Sequence, residues 1–545
     1  MARVEQLLEQ IRKDHDVRQN LIELRQNISD ESLRRRFIMQ LGDDDSLLIS
    51  LLKHEDPKVR RNAALILGMT ENEDVLPALM EAWEREKTLY VREDYLKAVS
   101  ALDYREYLPR LKERIHELSE MMEDSLEHPA QENHTQENAP LETEENSVPA
   151  DSEEGDSGEQ KETGSAENPL WDNNRHLLAE LSRLRRMTER YEKHERHHFI
   201  KMNPAPELLL RTNVLHADVT AGQITCGAVH AMRGSVHVKG GDLNEILKIR
   251  TWTECLLPIP GARPITGDEK MIASKLRDLK IGNYLNYLHE ASDQPFRYRI
   301  ELKSPSIPAE KKGEYIRRIA ARLDALEKGK LLNSDSDYEA ELRLIERKDH
   351  SLIPMLKLFT LPDQRFSYRK ETTAQSTSAP LAALAVSLAA PYLKQDAQIL
   401  DPFCGVGTLL IERCLQVPAD PVYGVDKFAE AIEKARVNAE AIQKERHAPI
   451  HYVNRDFFDF THAYPFDEII TYLPDAQPGE EKDFAVRFLK KAETVLGSKA
   501  ALILLTNAPD ALEEAAAQTE GYSVSRKYLL NERSGCTEII LTKNC

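Results

Sequence analysis

The chain has 545 residues, of which 41% are apolar and 30% charged, with a formal net charge of −19; that length exceeds what one hydrophobic core serves, so several folded units are expected. Six cysteines, at positions 226, 255, 404, 414, 536 and 545, lack any C-x-x-C spacing and suggest neither a disulfide framework nor a zinc cluster. Met1-Ala2-Arg3-Val4-Glu5 opens no apolar signal region and no window nears about 18 apolar residues, so the expectation is a soluble, cytoplasmic protein with no membrane span and no metal site.

The first unit is helical. Asp56-Pro57-Lys58-Val59-Arg60-Arg61-Asn62-Ala63-Ala64-Leu65-Ile66-Leu67-Gly68 starts a helix at a proline and keeps apolar residues on one face. Val91-Arg92 repeats Val59-Arg60 thirty-two residues later, and Leu33 to Gly42 reads as an earlier, less regular unit. The pattern over residues 1–116 resembles HEAT-type repeats, an all-α module that implies a surface for a protein partner; an ordinary small helical bundle is the alternative.

Residues 117–168 hold seventeen Asp and Glu against the single base Lys161, a net of −16 that leaves −3 for the rest of the chain. Rich also in Gln, Asn, Ser, Thr and Pro, residues 117–170 are expected to form an acidic disordered linker, because they have too little apolar surface to bury. Beyond it, Arg183, Arg185, Arg186, Arg190, Lys193 and Arg196 fall on one predicted helix and Lys311, Lys312, Arg317, Arg318 and Arg322 on another. Glu189, Glu192, Glu195 and Glu314 interleave with them, which reads as solvated faces and supports a polyanion partner only weakly. His194, His197 and His198 read as a solvated helix end.

Phe296 to Leu302 alternates like a strand, residues 311–329 form a basic helix, and Tyr338 to Ile345 alternates again. With Gly234-Ser235-Val236-His237-Val238-Lys239-Gly240-Gly241 and Arg250-Thr251-Trp252-Thr253-Glu254 upstream, residues 171–370 resemble the N-terminal part of THUMP-type RNA methyltransferases. That resemblance implies an α+β domain that holds structured RNA, tRNA or rRNA, by shape and backbone contacts. Arg365-Phe366-Ser367-Tyr368-Arg369-Lys370 resembles the family's bridge to the catalytic domain.

Residues 371–545 carry the chemistry. Ala397-Gln398-Ile399-Leu400-Asp401 reads as a buried parallel strand ending in an acid, Gly405 and Gly407 as a turn that brings backbone close to a ligand, and Leu409-Leu410-Ile411 as a covering helix. The next strand, Pro421 to Asp426, ends in a carboxylate nineteen residues past Gly407, the spacing that reaches a ribose. A Gly-x-Gly turn with a later acid also fits a dinucleotide site or a purely structural turn, but Leu410 stands where the dinucleotide fingerprint needs a small residue. Asp401-Pro402-x-Cys404-Gly405-x-Gly407-Thr408 instead resembles motif I of class I methyltransferases acting on exocyclic amines of nucleobases, with S-adenosyl-L-methionine as cofactor.

The resemblance implies that Asp401 and the turn Gly405 to Gly407 hold the methionine moiety and that Asp426 binds the ribose. It further implies that Asp456 accepts from the adenine amine with Phe457 flanking the ring; a surface Asp starting a turn and a core Phe is the alternative for that pair. With Ile450 to Val453 as the third strand, those at residues 466–471, 501–506 and 537–542 belong to an expected Rossmann-like, seven-stranded methyltransferase domain. The tetrapeptide after Thr471 is Tyr472-Leu473-Pro474-Asp475, where the family has Asn/Asp-Pro-Pro-Tyr/Phe or Asn-Leu-Pro-Phe. Tyr472, Pro474 and Asp475 are the candidate catalytic residues: Tyr472 can stack on a base and Asp475 can accept a hydrogen bond, but neither is a short amide. The expected reaction is methyl transfer to a guanosine N2 amine in RNA. A catalytically degenerate RNA-binding or scaffold protein, and a small-molecule or protein amine methyltransferase, are the alternatives.

Overall fold

The computed structural model describes residues 2–41, 45–127, 169–191, 195–327, 329–446 and 449–543. Its N-terminal unit is a stack of helices from Ala2–Arg12 to Leu108–Glu127, joined by the helix Pro169–Glu189. The Pro57–Leu67 helix starts where the sequence places it, with Asp56 accepting a hydrogen bond from the Lys58 amide (2.8 Å) and Pro57 in its first turn, where no amide donor is needed. Val59, Ala63, Ile66 and Leu67 turn inward against Val91, Tyr95, Leu96 and Val99 of the Leu89–Val99 helix.

Two expected boundaries move. Residues 117–127, taken as the start of the linker, continue the helix from Leu108, whose Leu111 and Leu118 are buried; residues 128–168 of that segment lie outside the described residues. Residues 171–189, assigned to the THUMP-like region, pack instead with the helical stack: Leu177, Leu181, Leu184 and Met187 enter its core, and buried Glu180 pairs with Arg92 (2.8 Å) and Arg114 (3.3 Å). An apolar stripe at helical spacing next to buried opposite charges decides the partner more strongly than nearness in sequence. The basic helix expected to reach Arg196 ends at Glu189, and Lys193 and His194 lie outside the described residues. His197 is not solvated but buried, with its Nδ1 3.0 Å from Glu339 and its ring stacked on Phe296.

Eight strands form the second unit: β1 (Leu208–Thr212), β2 (Ala228–Met232), β3 (Ser235–Lys239), β4 (Trp252–Pro258), β5 (Phe296–Lys303), β6 (Leu331–Asn333), β7 (Ala340–Glu346) and β8 (Leu352–Leu358). Their order is β2-β3-β1-β4-β8-β7-β5-β6, antiparallel except where β5 runs parallel to β6 and β7. The helix Ala309–Leu326 connects β5 to β6 and packs on them.

The third unit holds β9 (Ala397–Asp401), β10 (Ala419–Asp426), β11 (Ile450–Asn454), β12 (Phe466–Tyr472), β13 (Leu496–Thr506), β14 (Tyr522–Leu529) and β15 (Thr537–Lys543). They make one mixed sheet in the order β11-β10-β9-β12-β13-β15-β14, parallel from β11 to β13, with β15 antiparallel to both its neighbours. Apolar clusters cover both faces, which is why the central strands read as continuous apolar runs. The order reverses beside β9, between β10 and β12, and open α/β sheets bind ligands at such a point, outside the carboxyl ends of the strands.

The second and third units meet through buried polar contacts. Arg250 pairs with Glu412 through two hydrogen bonds (2.6 and 2.8 Å), and the Tyr368 hydroxyl donates to the same carboxylate (2.6 Å). Arg365 lies over the Trp252 ring and donates to the Ile249 and Trp252 carbonyls, so the bridge segment is fastened to the domain it leaves. Asn213 and His216 reach the carbonyls of Leu530 and Leu529 at the end of β14 (both 2.8 Å).

Candidate functional site

Asp401 ends β9 at the reversal point and is 1% exposed. Its Oδ1 accepts from the Thr471 hydroxyl (2.6 Å) and the Phe403 amide (3.1 Å). Burial, reinforced by the nearby negative charge of Asp426, pushes its carboxyl up to about 7 against those two donors. A carboxylate held this way gains most from a cation brought next to it.

The chain then turns through Gly405 (φ +52°) and Gly407 (φ +81°), both in the left-handed region that glycine adopts without strain. The two glycines serve different neighbours. A Cβ on Gly405 would meet nothing within 4 Å, so that side of the turn is open; a Cβ on Gly407 would come 3.1 Å from Cζ of Tyr452 and closer still to its hydroxyl. The close approach expected of Gly407 is therefore to a tyrosine of β11 rather than to a ligand. The Gly405 amide donates to Asp426 Oδ2 (2.9 Å), which turns the carboxylate at the end of β10 toward the glycine loop, and Asp426 Oδ1 accepts from the Phe428 amide (2.9 Å). Phe428 itself is 60% exposed beside this carboxylate.

The turn is fixed from behind by a residue the sequence analysis passed over. Asn438, fully buried, donates to the Val406 carbonyl (3.1 Å) and the Glu371 carbonyl (3.0 Å) and accepts from the Glu371 amide (2.9 Å). Nothing local marks it out, since it lies in the middle of an Ala- and Glu-rich helix. Two buried hydroxyls at the turn, Thr408 Oγ1 and the Tyr452 hydroxyl, have no hydrogen-bond partner among the described residues.

Phe457 follows the plainer of its two readings, and Asp456 starts a turn. Asp456 Oδ1 accepts from the Phe458 amide (2.9 Å) and starts a short helical turn. Phe457 is 1% exposed, its ring set against Phe403, Phe458 and Phe488 in the core, so no face of it is left to flank an adenine. Aromatic density in Phe457-Phe458-x-Phe460 serves packing.

Past β12, Tyr472 and Asp475 are joined through a third side chain. The Tyr472 hydroxyl donates to Oδ1 of Asn507 (3.1 Å), and Nδ2 of Asn507 donates to Asp475 (2.9 Å). Burial raises the tyrosine's pKa, which keeps it a donor at neutral pH. Leu473, exposed Pro474, Asp475, Phe484, Asn507 and Leu512 line a cavity of about 240 Å³. Across the sheet from Tyr472 lies Leu505, and opposite Leu505 lies Glu538, 0% exposed with neither carboxyl oxygen hydrogen-bonded among the described residues; burial pushes that carboxyl well above its ordinary range. No group of His, Cys, Asp and Glu side chains among the described residues could hold a metal ion, and no helix among them is long and apolar enough to cross a membrane.

No curated protein matches the chain. Among solved structures, TrmN from Thermus thermophilus is similar at 17% identity, with a TM-score of 0.48 over 62% of this chain and 99% of its own. A structure described as a predicted N6-adenine-specific DNA methylase from Listeria monocytogenes gives 16% identity and a TM-score of 0.45 over 62% and 96%. SMU.472, solved as a methyltransferase complexed with SAH, gives 14% identity and a TM-score of 0.46 over 64% and 99%. The HEAT-repeat family model matches residues 4–100 and 45–120, and the model described as an RMKL-like methyltransferase domain matches residues 367–540. Residues 4–120 are thus similar to HEAT repeats and residues 367–540 to an RMKL-like methyltransferase domain.

Proposed function

We propose that the chain is an S-adenosyl-L-methionine-dependent methyltransferase acting on structured RNA, a tRNA or rRNA, at the N2 amine of a guanosine. The observation that carries this reading is the open side of Gly405, bracketed by the buried Asp401 carboxylate and by Asp426 turned onto the same loop. The residues present fit the cofactor: Asp401 would face its cationic methionine end, the Gly405 side of the turn its backbone, and Asp426 its ribose hydroxyls. Phe428, rather than Phe457, has an exposed ring to offer the adenine. Thr408 supplies a buried hydroxyl beside the turn that a bound molecule or an ordered water can satisfy.

When bound, the cofactor supplies an electrophilic methyl group; the acceptor nitrogen's lone pair takes it while the sulfur keeps the broken bond's electrons, and one amine proton leaves to solvent. The chain's contribution is to hold both partners in line, which needs no titrating side chain. RNA as the substrate is supported by the family resemblance of the residues in β3, β5 and β7, and by the ion-paired seam that fastens their sheet to the methyltransferase domain. The HEAT repeats would offer their surface to a protein partner.

The test is incubation of the purified chain with methyl-labelled cofactor and total RNA of its host, beside an Asp401→Ala variant, with calorimetry of cofactor binding. Label in tRNA or rRNA that vanishes with Asp401→Ala supports the proposal. Binding without label in any RNA would favour a scaffold that has lost catalysis, and the absence of binding would reject the methyltransferase reading.

A further inference from the structure

The cavity beyond β12 adjoins the glycine loop through one pair of rings. Phe403, two residues after Asp401, lies 6.3 Å centre to centre from Phe484, and Phe484 forms part of the cavity wall. Leu473 and Leu512 add apolar wall, and Asp475 and Asn507 make a polar end. A flat ring with a hydrogen-bonding edge fits that division: apolar side chains for its faces, an amide and a carboxylate for its rim.

The orientation of the amide is set by its neighbours. Oδ1 of Asn507 accepts from the Tyr472 hydroxyl and Nδ2 donates to Asp475, so a flip of the amide would set its oxygen against the acceptor-only carboxylate and would require the Tyr472 hydroxyl to accept instead of donate. One lone pair on Oδ1 and one hydrogen on Nδ2 remain available, next to the unshared lone pairs of the exposed Asp475 carboxylate. An exocyclic amine needs acceptors for its hydrogens if its own lone pair is to be aimed, and the side chain at 472 is not an amide. An amide is nevertheless present, at the end of β13 instead of β12, and Tyr472 is what steadies it.

We propose that this cavity takes the methyl-accepting ring and that Asn507, with Asp475, supplies the acceptors that orient its amine, Tyr472 being a positioning residue that fixes the Asn507 amide. The inference rests on the functional reading above and deepens it by naming the residues that meet the acceptor. Replacing the short amide of β12 by a tyrosine is then a relocation of the acceptor by one strand, not a loss.

The experiment is a double-mutant cycle on the full chain, with label transfer to host RNA, cofactor affinity by calorimetry, and thermal unfolding measured on every variant. Asn507→Ala is expected to lower kcat about 100-fold, the order lost when a reacting group is mispositioned, with cofactor affinity and melting temperature unchanged. Asn507→Asp, which keeps an acceptor, should recover part of that loss. Tyr472→Phe should cost less than Asn507→Ala, and the double variant no more than Asn507→Ala alone, because a positioning residue has nothing left to position. Asn507→Ala at the wild-type rate, or additive losses in the double variant, would overturn the proposal while leaving the functional reading intact. Wild-type chain that binds cofactor but labels nothing would overturn both.

Discussion

Gly405 and Gly407 look equivalent in the sequence, and substituting alanine at each should separate what the turn owes to a ligand from what it owes to the fold. At Gly405 the only folding cost is a left-handed backbone, roughly 1–2 kcal/mol, since no atom lies within 4 Å of the added methyl. At Gly407 the same backbone cost is joined by overlap with Tyr452, about 1–3 kcal/mol for an overpacked site, for a total of about 2–5 kcal/mol. At about 2–4 °C per kcal/mol for a unit of this size, Gly407→Ala should lower the melting temperature by about 4–20 °C and Gly405→Ala by about 2–8 °C. Cofactor affinity should respond in the opposite way: Gly405→Ala fills the open side of the turn and should abolish binding, whereas Gly407→Ala should retain binding below its melting point. Tyr452→Phe removes the nearest clashing atom, which is also a buried hydroxyl without a partner, and should restore part of the stability lost in Gly407→Ala. Calorimetric unfolding of the full chain, with hydrogen exchange in β9 and β11 to assign the transition, provides the measurement. Equal destabilisation by the two alanines, or no rescue by Tyr452→Phe, would refute the reasoning.

Cofactor affinity should rise about tenfold between pH 6 and pH 8, because Asp401, whose carboxyl is pushed up to about 7, must ionise to meet a cation. The sign follows from a folded value raised above the unfolded one: the unliganded fold loses stability as pH climbs from the ordinary aspartate range through about 7, and a pH-independent affinity would count against the assignment. Glu538→Met should stabilise the chain by about 1–3 kcal/mol at neutral pH, the cost of a buried unsatisfied polar group, and the gain should narrow as pH falls into the ordinary glutamate range, where the unfolded chain's carboxyl takes up its proton too; a lower melting temperature at pH 7 would show that the carboxyl has an unseen partner. Glu180→Ala leaves Arg92 buried without its carboxylate and should cost about 3–5 kcal/mol, detectable as new proteolytic cleavage in the helix Pro169–Glu189; unchanged protection would mean that the apolar stripe alone holds that helix.

Much of the methyltransferase domain was legible in the sequence because parallel strands buried on both faces read as apolar runs. Ile399-Leu400, Val422 to Asp426 and Phe466 to Thr471 all lie in strands where expected. β14 was not foreseen: its side chains are largely exposed, so it has no apolar run to betray it, and it is specified by pairing with β15. The helix Pro169–Glu189 was visible as a helix, but its partner was not, since Arg92 and Glu180 lie 88 positions apart. At the candidate site, spacing anticipated that Asp401 and Asp426 end neighbouring strands beside the glycine turn, where the structure brings them together. It could not distinguish a glycine kept small for a tyrosine from one whose side stays open, nor reveal that Asn507, just past the end of β13, accepts the Tyr472 hydroxyl's hydrogen bond.

The helices Leu108–Glu127 and Pro169–Glu189 pack side by side, so the helical stack ends on two neighbours that are well separated in sequence. Arg185, on the second of them, stands 3.7 Å from Asp324 on the helix Ala309–Leu326. The stack is thereby registered against the eight-stranded sheet as if on a shared chassis, through side chains of the helices Pro169–Glu189 and Ala309–Leu326.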